Sequence, residues 1–313
     1  MRSLSKAFTA LLGVTGFVLL PLASSTPSDA ASSSSYPMTL KAADGTFTFT
    51  SRPTAIVSLS PTATEMLYAI GAGSQVKAVD SDSDYPTSAP ITKLSAYTPN
   101  VEAIAKYKPD LVIVAIDSTS FNKQMAALKI PVVYEPTAEN LTAAYAQYTS
   151  LGQATGRVAQ AAAEVAKVKA KIAAIVASTS RARKGSTYYY ELDPTYYSVT
   201  STTFVGQLFS LFGLKSIADR AKGVAASGGY PQLNTEFILK SNPTYIFLAD
   251  TLCCKATAAS VTARPGWSAL TAVQKGRIIP LNDDIASRWG PRVTILVQDV
   301  ADALKGVKVS SAS

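Results

Sequence analysis

The chain has 313 residues, 47% of them hydrophobic and 16% charged, which supplies ample core material and lies outside the disordered range. Its formal charge of +8 comes from scattered Lys and Arg with no dense basic run, so it describes a soluble surface and gives no sign of nucleic-acid binding. There is no histidine, which excludes Ser-His-Asp and Cys-His nucleophile systems, imidazole bases and zinc sites built on imidazole.

Residues 1–30 read as an export signal. Arg2 and Lys6 form a positive start, the stretch from Ala7 to Leu22 is apolar, and Ser28-Asp29-Ala30 offers small residues at the −3 and −1 positions of a cleavage site. The unbroken apolar core falls short of the ~20 residues of a comfortable span, which favours cleavage over anchoring. No Cys stands near it for lipid attachment. Residues 31–50 follow as a leader and first strand region, with a flexible serine run at Ser32–Ser35. No later hydrophobic segment is long enough to span a membrane. The chain is expected to be exported, to a periplasmic or extracellular, envelope-associated location.

From residue 51 strand-like and helix-like segments alternate, which predicts an α/β fold with a mainly parallel sheet. In 51–139 the strands are Ala55–Leu59, Val76–Val79, Leu111–Ala115 and Val132–Tyr134, and the helices are Thr62–Ile70, stopped by Gly71 and Gly73, and Phe121–Leu128. Residues 140–180 read as helical. Asn140–Thr149 is one helix, and Arg157–Ala177 is a second with apolar residues at Val158, Ala161, Val165, Val168, Ile172 and Ile175. That 3-4-3-4-3 spacing makes one stripe, and the helix would reach roughly 30 Å, about the width of a small domain. It is read as a backbone helix packed across two lobes. Residues 181–313 resume the alternation, with strands Thr187–Leu192, Tyr245–Ala249 and Arg277–Leu281, a helix Phe204–Phe212 closed by Gly213, and a last helix from Pro291 to about Leu304. Tyr188–Tyr190 are read as strand filler.

An internal repeat ties the halves together. NVEAIAKYKPDLVIV (100–114) aligns without a gap on NTEFILKSNPTYIFL (234–248), with Asn, Glu, Ile, Lys and Pro coinciding. Each is an Asn-capped helix, a Pro-marked turn and a buried strand. Asn100 and Asn234 as N-caps put Glu102 and Glu236 at matched N2 positions, where a carboxylate also favours the helix dipole.

Several stretches together carry a resemblance: RPTAIVSLSPTATEMLYAIGAG (52–73), DSDYPT (82–87), the two repeat segments, the long helix between them, RPGWSALTAVQKGRIIPLNDD (264–284) and SRWGPR (287–292). Over roughly residues 40–306 the chain resembles the cobalamin- and ferric-siderophore-binding proteins of ABC importers. The resemblance implies two Rossmann-like α/β lobes joined by a single long α-helix, with a ligand cleft between them. It implies that Glu102 and Glu236 dock on the transporter's permease subunits. It places the ligand at the carboxyl ends of the strands, among Ser60, Asp82 and Tyr97 of the first lobe and Tyr196, Tyr197, Tyr230, Asp284, Arg288 and Trp289 of the second. Aromatic faces there suit a ring-rich or chelate ligand, and Arg288 and Asp284 would orient its polar edge. The expected partners are a small ligand (a corrinoid, a ferric siderophore, or haem held through Tyr) and the permease, with no cofactor, metal or nucleic acid.

An enzyme is the first rival, but no G-x-G-x-x-G follows the first strand, and neither a P-loop nor a G-x-S-x-G elbow exists. No carboxylate pair stands out as acid and base, so no catalytic residue is expected. A second rival is an envelope protein that has lost its ligand; Glu102, Glu236 and the aromatic set argue against it.

Cys253 and Cys254 are the only cysteines. Adjacent Cα atoms sit ~3.8 Å apart, below the usual ~4.4 Å lower limit for a disulfide, so a vicinal bridge would be strained and easily reduced. Two free thiols, a soft-metal site and a disulfide-linked dimer are the other states open to the pair.

Overall fold

A computed structural model describes residues 36–42 and 45–309. The stretches read in sequence as an export signal and a serine-rich leader lie outside the described residues. The described chain begins with an antiparallel hairpin, β1 (Met38–Ala42) and β2 (Gly45–Phe49), whose Leu40 and Phe49 enter the first core.

The first lobe then runs β3 (Ile56–Leu59), α1 (Pro61–Ala69), β4 (Val76–Val79), α2 (Val101–Ala105), β5 (Leu111–Val114), α3 (Thr119–Ala127) and β6 (Val132–Tyr134). Its sheet is wholly parallel in the order β4-β3-β5-β6. Strands β3 and β5 are buried along their whole length, which is why they read as near-continuous apolar runs: a parallel sheet is covered on both faces.

Two helices follow, α4 (Leu141–Thr155) and α5 (Val158–Ala177). The second lobe runs β7 (Thr187–Glu191), α6 (Phe204–Ser210), β8 (Lys215–Ser216), α7 (Thr235–Ser241), β9 (Tyr245–Leu248), α8 (Ala258–Thr262), α9 (Thr271–Gln274), β10 (Ile278–Pro280), α10 (Asp283–Ser287) and α11 (Val293–Lys305). Its sheet is also parallel, in the order β10-β9-β7-β8. Counted from each lobe's own first strand, both orders are second, first, third, fourth. The repeat seen in sequence is the α2–β5 unit of one lobe and the α7–β9 unit of the other. Asn100 and Asn234 cap those helices, each accepting a backbone N–H at 2.8 Å.

Helix α5 ties the lobes. Ala161 belongs to the first core, and Val168, Ile172 and Ile175 to the second. Helix α4 makes the same crossing in reverse, with Ala144 in the second core and Tyr148, Leu151 and Ala154 in the first. The link is therefore an antiparallel pair, with α5 as its long member. Helix α4 runs six residues beyond the expected end at Thr149. The polar look of Ser150, Gly152, Gln153 and Thr155 suggests a stop, yet Leu151 and Ala154 complete its buried face. A Cβ on Gly152 would sit 2.5 Å from Ala161 Cβ, so glycine sets the close approach of the two helices. Gly156, at φ 67°, ends α4 in the left-handed conformation. At the other end of the apolar stripe, Val158 is 41% exposed and lies outside both cores.

Ile172→Ala is expected to cost about 2–4 kcal/mol through the cavity it leaves between α5 and the second core. Val158→Ala should cost under about 0.5 kcal/mol. Urea unfolding of the two variants checks the contrast, and equal losses would contradict the assignment of the buried face.

Candidate functional site

The carboxyl ends of the first sheet's strands are built from small polar residues. Ser60 caps α1, its hydroxyl accepting the Ala63 N–H at 3.2 Å, and it is 2% exposed. After β4 the chain turns around Asp80, which is buried and accepts the Asp82 N–H at 2.9 Å and the Ser83 hydroxyl at 2.8 Å. Desolvation raises the Asp80 pKa above the ordinary carboxylate value. The turn leaves Asp82 exposed and aims its carbonyl at the second lobe.

That carbonyl meets Arg288, at the end of α10. Arg288 Nη2 donates to Asp82 O at 2.8 Å and to Asp284 Oδ1 at 2.6 Å, while Nη1 donates to Asp84 Oδ1 at 3.1 Å and to Glu65 Oε1 at 3.2 Å. Glu65, on α1, is fully buried, and its Oε1 also accepts from Arg292 Nη2 at 2.6 Å and Nε at 3.1 Å. Hydrogen bonding to Glu65 raises the Arg292 pKa against the opposing effect of desolvation. Next to this clamp, Trp289 packs on both cores, and its Nε1 donates to Gln147 Oε1 at 2.6 Å.

The sequence points to Arg288 and Trp289 as ligand contacts. In the structure their polar atoms are taken up by the protein, because four acceptors from both lobes converge on one guanidinium and α4 supplies the partner of the indole. Of the expected set, Asp82, Asp284, Arg288 and Trp289 come together here. Sequence reasoning missed Glu65 and Arg292, whereas Asp84 lies in the loop after β4 that it had marked for the cleft. A carboxylate inside the apolar run TATEMLYAI was the available signal for Glu65.

The tyrosines divide. Residues 197–200 and 229–232 pair in antiparallel fashion, through Ser198 N to Pro231 O at 3.1 Å, Thr200 N to Gly229 O at 2.9 Å and the Tyr197–Gln232 bridge. This places Tyr197 and Tyr230 on neighbouring segments, 40% and 37% exposed. Desolvation raises the Tyr230 pKa. Tyr196, at φ 71°, turns the other way and stacks on Trp267 with ring centroids 6.0 Å apart. Tyr97 is 76% exposed on the first lobe. Glu102 and Glu236 are exposed in the first turns of α2 and α7, apart from the clamp in sequence and on equivalent elements. Cys253 and Cys254 are exposed and unbridged, with Sγ atoms 2.6 Å apart.

A second charged cluster closes the carboxyl ends of β7 and β9. Arg264 grips Glu191 through two bonds, Nη1 to Oε2 at 2.5 Å and Nη2 to Oε1 at 2.6 Å. Asp250, on the neighbouring strand's exit, is fully buried and neither carboxylate oxygen accepts a hydrogen bond among the described residues. Desolvation, and then the charge of Glu191, push its pKa up to about 7. Its folded pKa lies above its unfolded one, so its contribution to stability is full below about pH 4 and is lost as pH rises through about 7. Melting temperature should fall between pH 5 and pH 8, and Asp250→Asn should flatten that fall. An unchanged slope in the variant would remove Asp250 from the titration.

A family model described as "Periplasmic binding protein" matches residues 56–285. The chain is 29% identical over 279 residues to an ABC transporter substrate-binding lipoprotein, YvrC, of Bacillus subtilis, covering 86% of each. It is 27% identical over 267 residues to the vitamin B12-binding protein of Pectobacterium carotovorum, covering 83% of this chain and 92% of that one. In three dimensions it is similar to a possible iron-binding (periplasmic solute-binding) protein from Staphylococcus epidermidis, with a TM-score of 0.69, 26% identity, and 81% and 99% of the two chains covered. With two lobes built on parallel sheets and a family match over most of its length, the chain belongs to the periplasmic binding protein family.

Proposed function

We propose that this protein is the extracytoplasmic solute-binding component of an ABC importer, which takes up a corrinoid or a ferric siderophore between its lobes and hands it to the permease. The observation that carries the reading is the meeting of the two lobes at the carboxyl ends of their sheets, where open α/β sheets bind ligands, with exposed Tyr97, Tyr197 and Tyr230 on the flanking loops. A planar macrocycle or an aromatic chelate stacks well on such rings. Arg288 then acts by holding Asp82 and Asp284 at the lobe junction. Residues 51–139 and 181–313 serve as the two ligand-binding lobes and 140–180 as their connection. The reading is of binding and release with no turnover. The sequence reading of residues 1–30 as an export signal supports delivery outside the cytoplasm.

Titrating the purified protein with a cobalamin, a ferric siderophore and haem, each followed by its visible spectrum and by mass, tests the proposal. One of the first two should bind at one equivalent and be recovered unaltered, and Tyr230→Ala should weaken it by about 1–3 kcal/mol. A chemically changed ligand, or no binding by any of the three, would overturn the reading, and a preference for haem would reassign the ligand.

Glu102 and Glu236 serve in this reading as the docking carboxylates, a charge pair fixed on equivalent helices. The double change Glu102→Ala with Glu236→Ala should leave ligand affinity unchanged and remove stimulation of ATP hydrolysis in the reconstituted importer. Stimulation at the wild-type level would sink that assignment.

A further inference from the structure

One side chain joins the loop after β9 to helix α10. Asp283 opens that helix, and its carboxylate accepts the Thr251 hydroxyl at 3.0 Å, the Leu252 N–H at 3.0 and 3.1 Å and the Cys253 N–H at 2.8 Å. The Thr251 hydroxyl also lies 2.5 Å from Leu281 O. Asp250 O accepts the N–H groups of Cys254 and Ala256 at 3.2 Å, and Lys255 is left-handed at φ 58°. In an extended segment neighbouring side chains point to opposite faces. This turn instead brings both sulfurs to one side, 2.6 Å apart and on exposed residues. On the same short helix, Asp284 and Arg288 form the clamp to the first lobe.

We propose that Cys253 and Cys254 form a reversible dithiol–disulfide site whose state is transmitted through Asp283 and α10 to the clamp between the lobes. The site goes beyond solute binding and does not depend on which ligand is carried. Its oxidant is a low-molecular-weight or protein disulfide. The Cys254 thiolate attacks one sulfur of that disulfide, forming a mixed disulfide and expelling one thiolate. Cys253 then attacks Cys254 Sγ, its proton passing to the second departing thiolate. Two thiols and one external disulfide become one internal disulfide and two external thiols, so electrons and protons balance. Desolvation, then hydrogen bonding with Cys254 and Asp283, push the Cys253 pKa up to about 12, which disfavours Cys253 as the starting nucleophile; its attack on the mixed disulfide, which also needs the thiolate, is carried by the closeness of the two sulfurs. Neighbouring Cα atoms at ~3.8 Å are closer than disulfides favour. That spacing is fixed by the peptide bond, so ring closure is accommodated in the torsion angles of the two residues, and the Cys253 N–H held by Asp283 lies on that stretch.

The test is exposure of the reduced mature protein to oxidised glutathione, read by intact mass, thiol alkylation and amide exchange. The wild type should lose two hydrogens, remain a monomer and take up no alkyl group. Cys253→Ser should stop at a glutathione adduct, and Cys254→Ser should react about tenfold more slowly. Exchange of the α10 amides should change by about threefold or more on oxidation, and the variant with both cysteines changed to Ser should show no such change. Uptake of two alkyl groups after glutathione, or a disulfide-linked dimer, would overturn the site. A closed ring with unchanged α10 exchange would overturn its coupling to the clamp.

Discussion

Glu65 carries a carboxylate with no solvent exposure in the middle of α1, and the guanidiniums that meet it, Arg288 and Arg292, both come from the far side of the lobe junction. A buried charge without a partner is costly to a fold, and removing one member of such a group leaves the rest unpaired. The position of α10 and the start of α11 therefore follows from where α1 places Glu65. Arg288 extends the constraint outward, because the same guanidinium reaches Asp82 O, Asp84 and Asp284. The loop after β4 and the helix after β10, one from each lobe, are held together by a single planar fork of donors. Directional, charge-assisted bonds of this kind determine geometry more sharply than apolar contact does. Gly290 fits the same picture, since a Cβ there would come within 3.3 Å of the Glu65 side chain.

The α4–α5 pair supplies the complementary, non-directional tie. Each helix places one end in each core, so the two lobes share apolar surface as well as charge. A link made of packed helices resists bending more than extended strands do. With the clamp at one side and the helix pair between the cores, ligand entry in a binding protein of this build is expected to involve modest lobe motion.

The second lobe concentrates its chemistry where β7 and β9 end. Glu191 and Arg264 make a bidentate pair, Asp250 lies buried beside them, and two residues further along the chain reaches the turn that Asp283 organises. The first sheet's strand ends carry a different set: Ser60 after β3, Asp80 after β4, and after β6 Glu135, which accepts the Ser150 hydroxyl. The lobes share a strand order but not a chemistry, as befits a repeat in which only the scaffold is common to both halves.

Much of the scaffold was legible in the residues. The buried strands β3, β5 and β9 announce themselves as largely apolar runs because both faces of a parallel sheet are covered. Asn100 and Asn234 mark helix starts because their side chains cap locally, within three residues. The apolar stripe on α5 marks a long helix with one buried side, while the division of that side between two cores comes from the lobes that meet it. What the sequence by itself could not decide was anything set by separation in the chain. Arg288 looks like a free cation until Glu65, more than two hundred residues earlier, is brought to it. Tyr196 and Tyr197 look alike until the backbone turns one onto Trp267 and leaves the other at the surface. Helix α8 and its neighbours α9 and α10 are too short to show a period, and α4 hides its last turn behind polar residues. Local propensity and periodicity act over a few residues and can be read in order. The pairing of buried charges and the facing of side chains depend on which distant segments meet, and only the tertiary structure decides that.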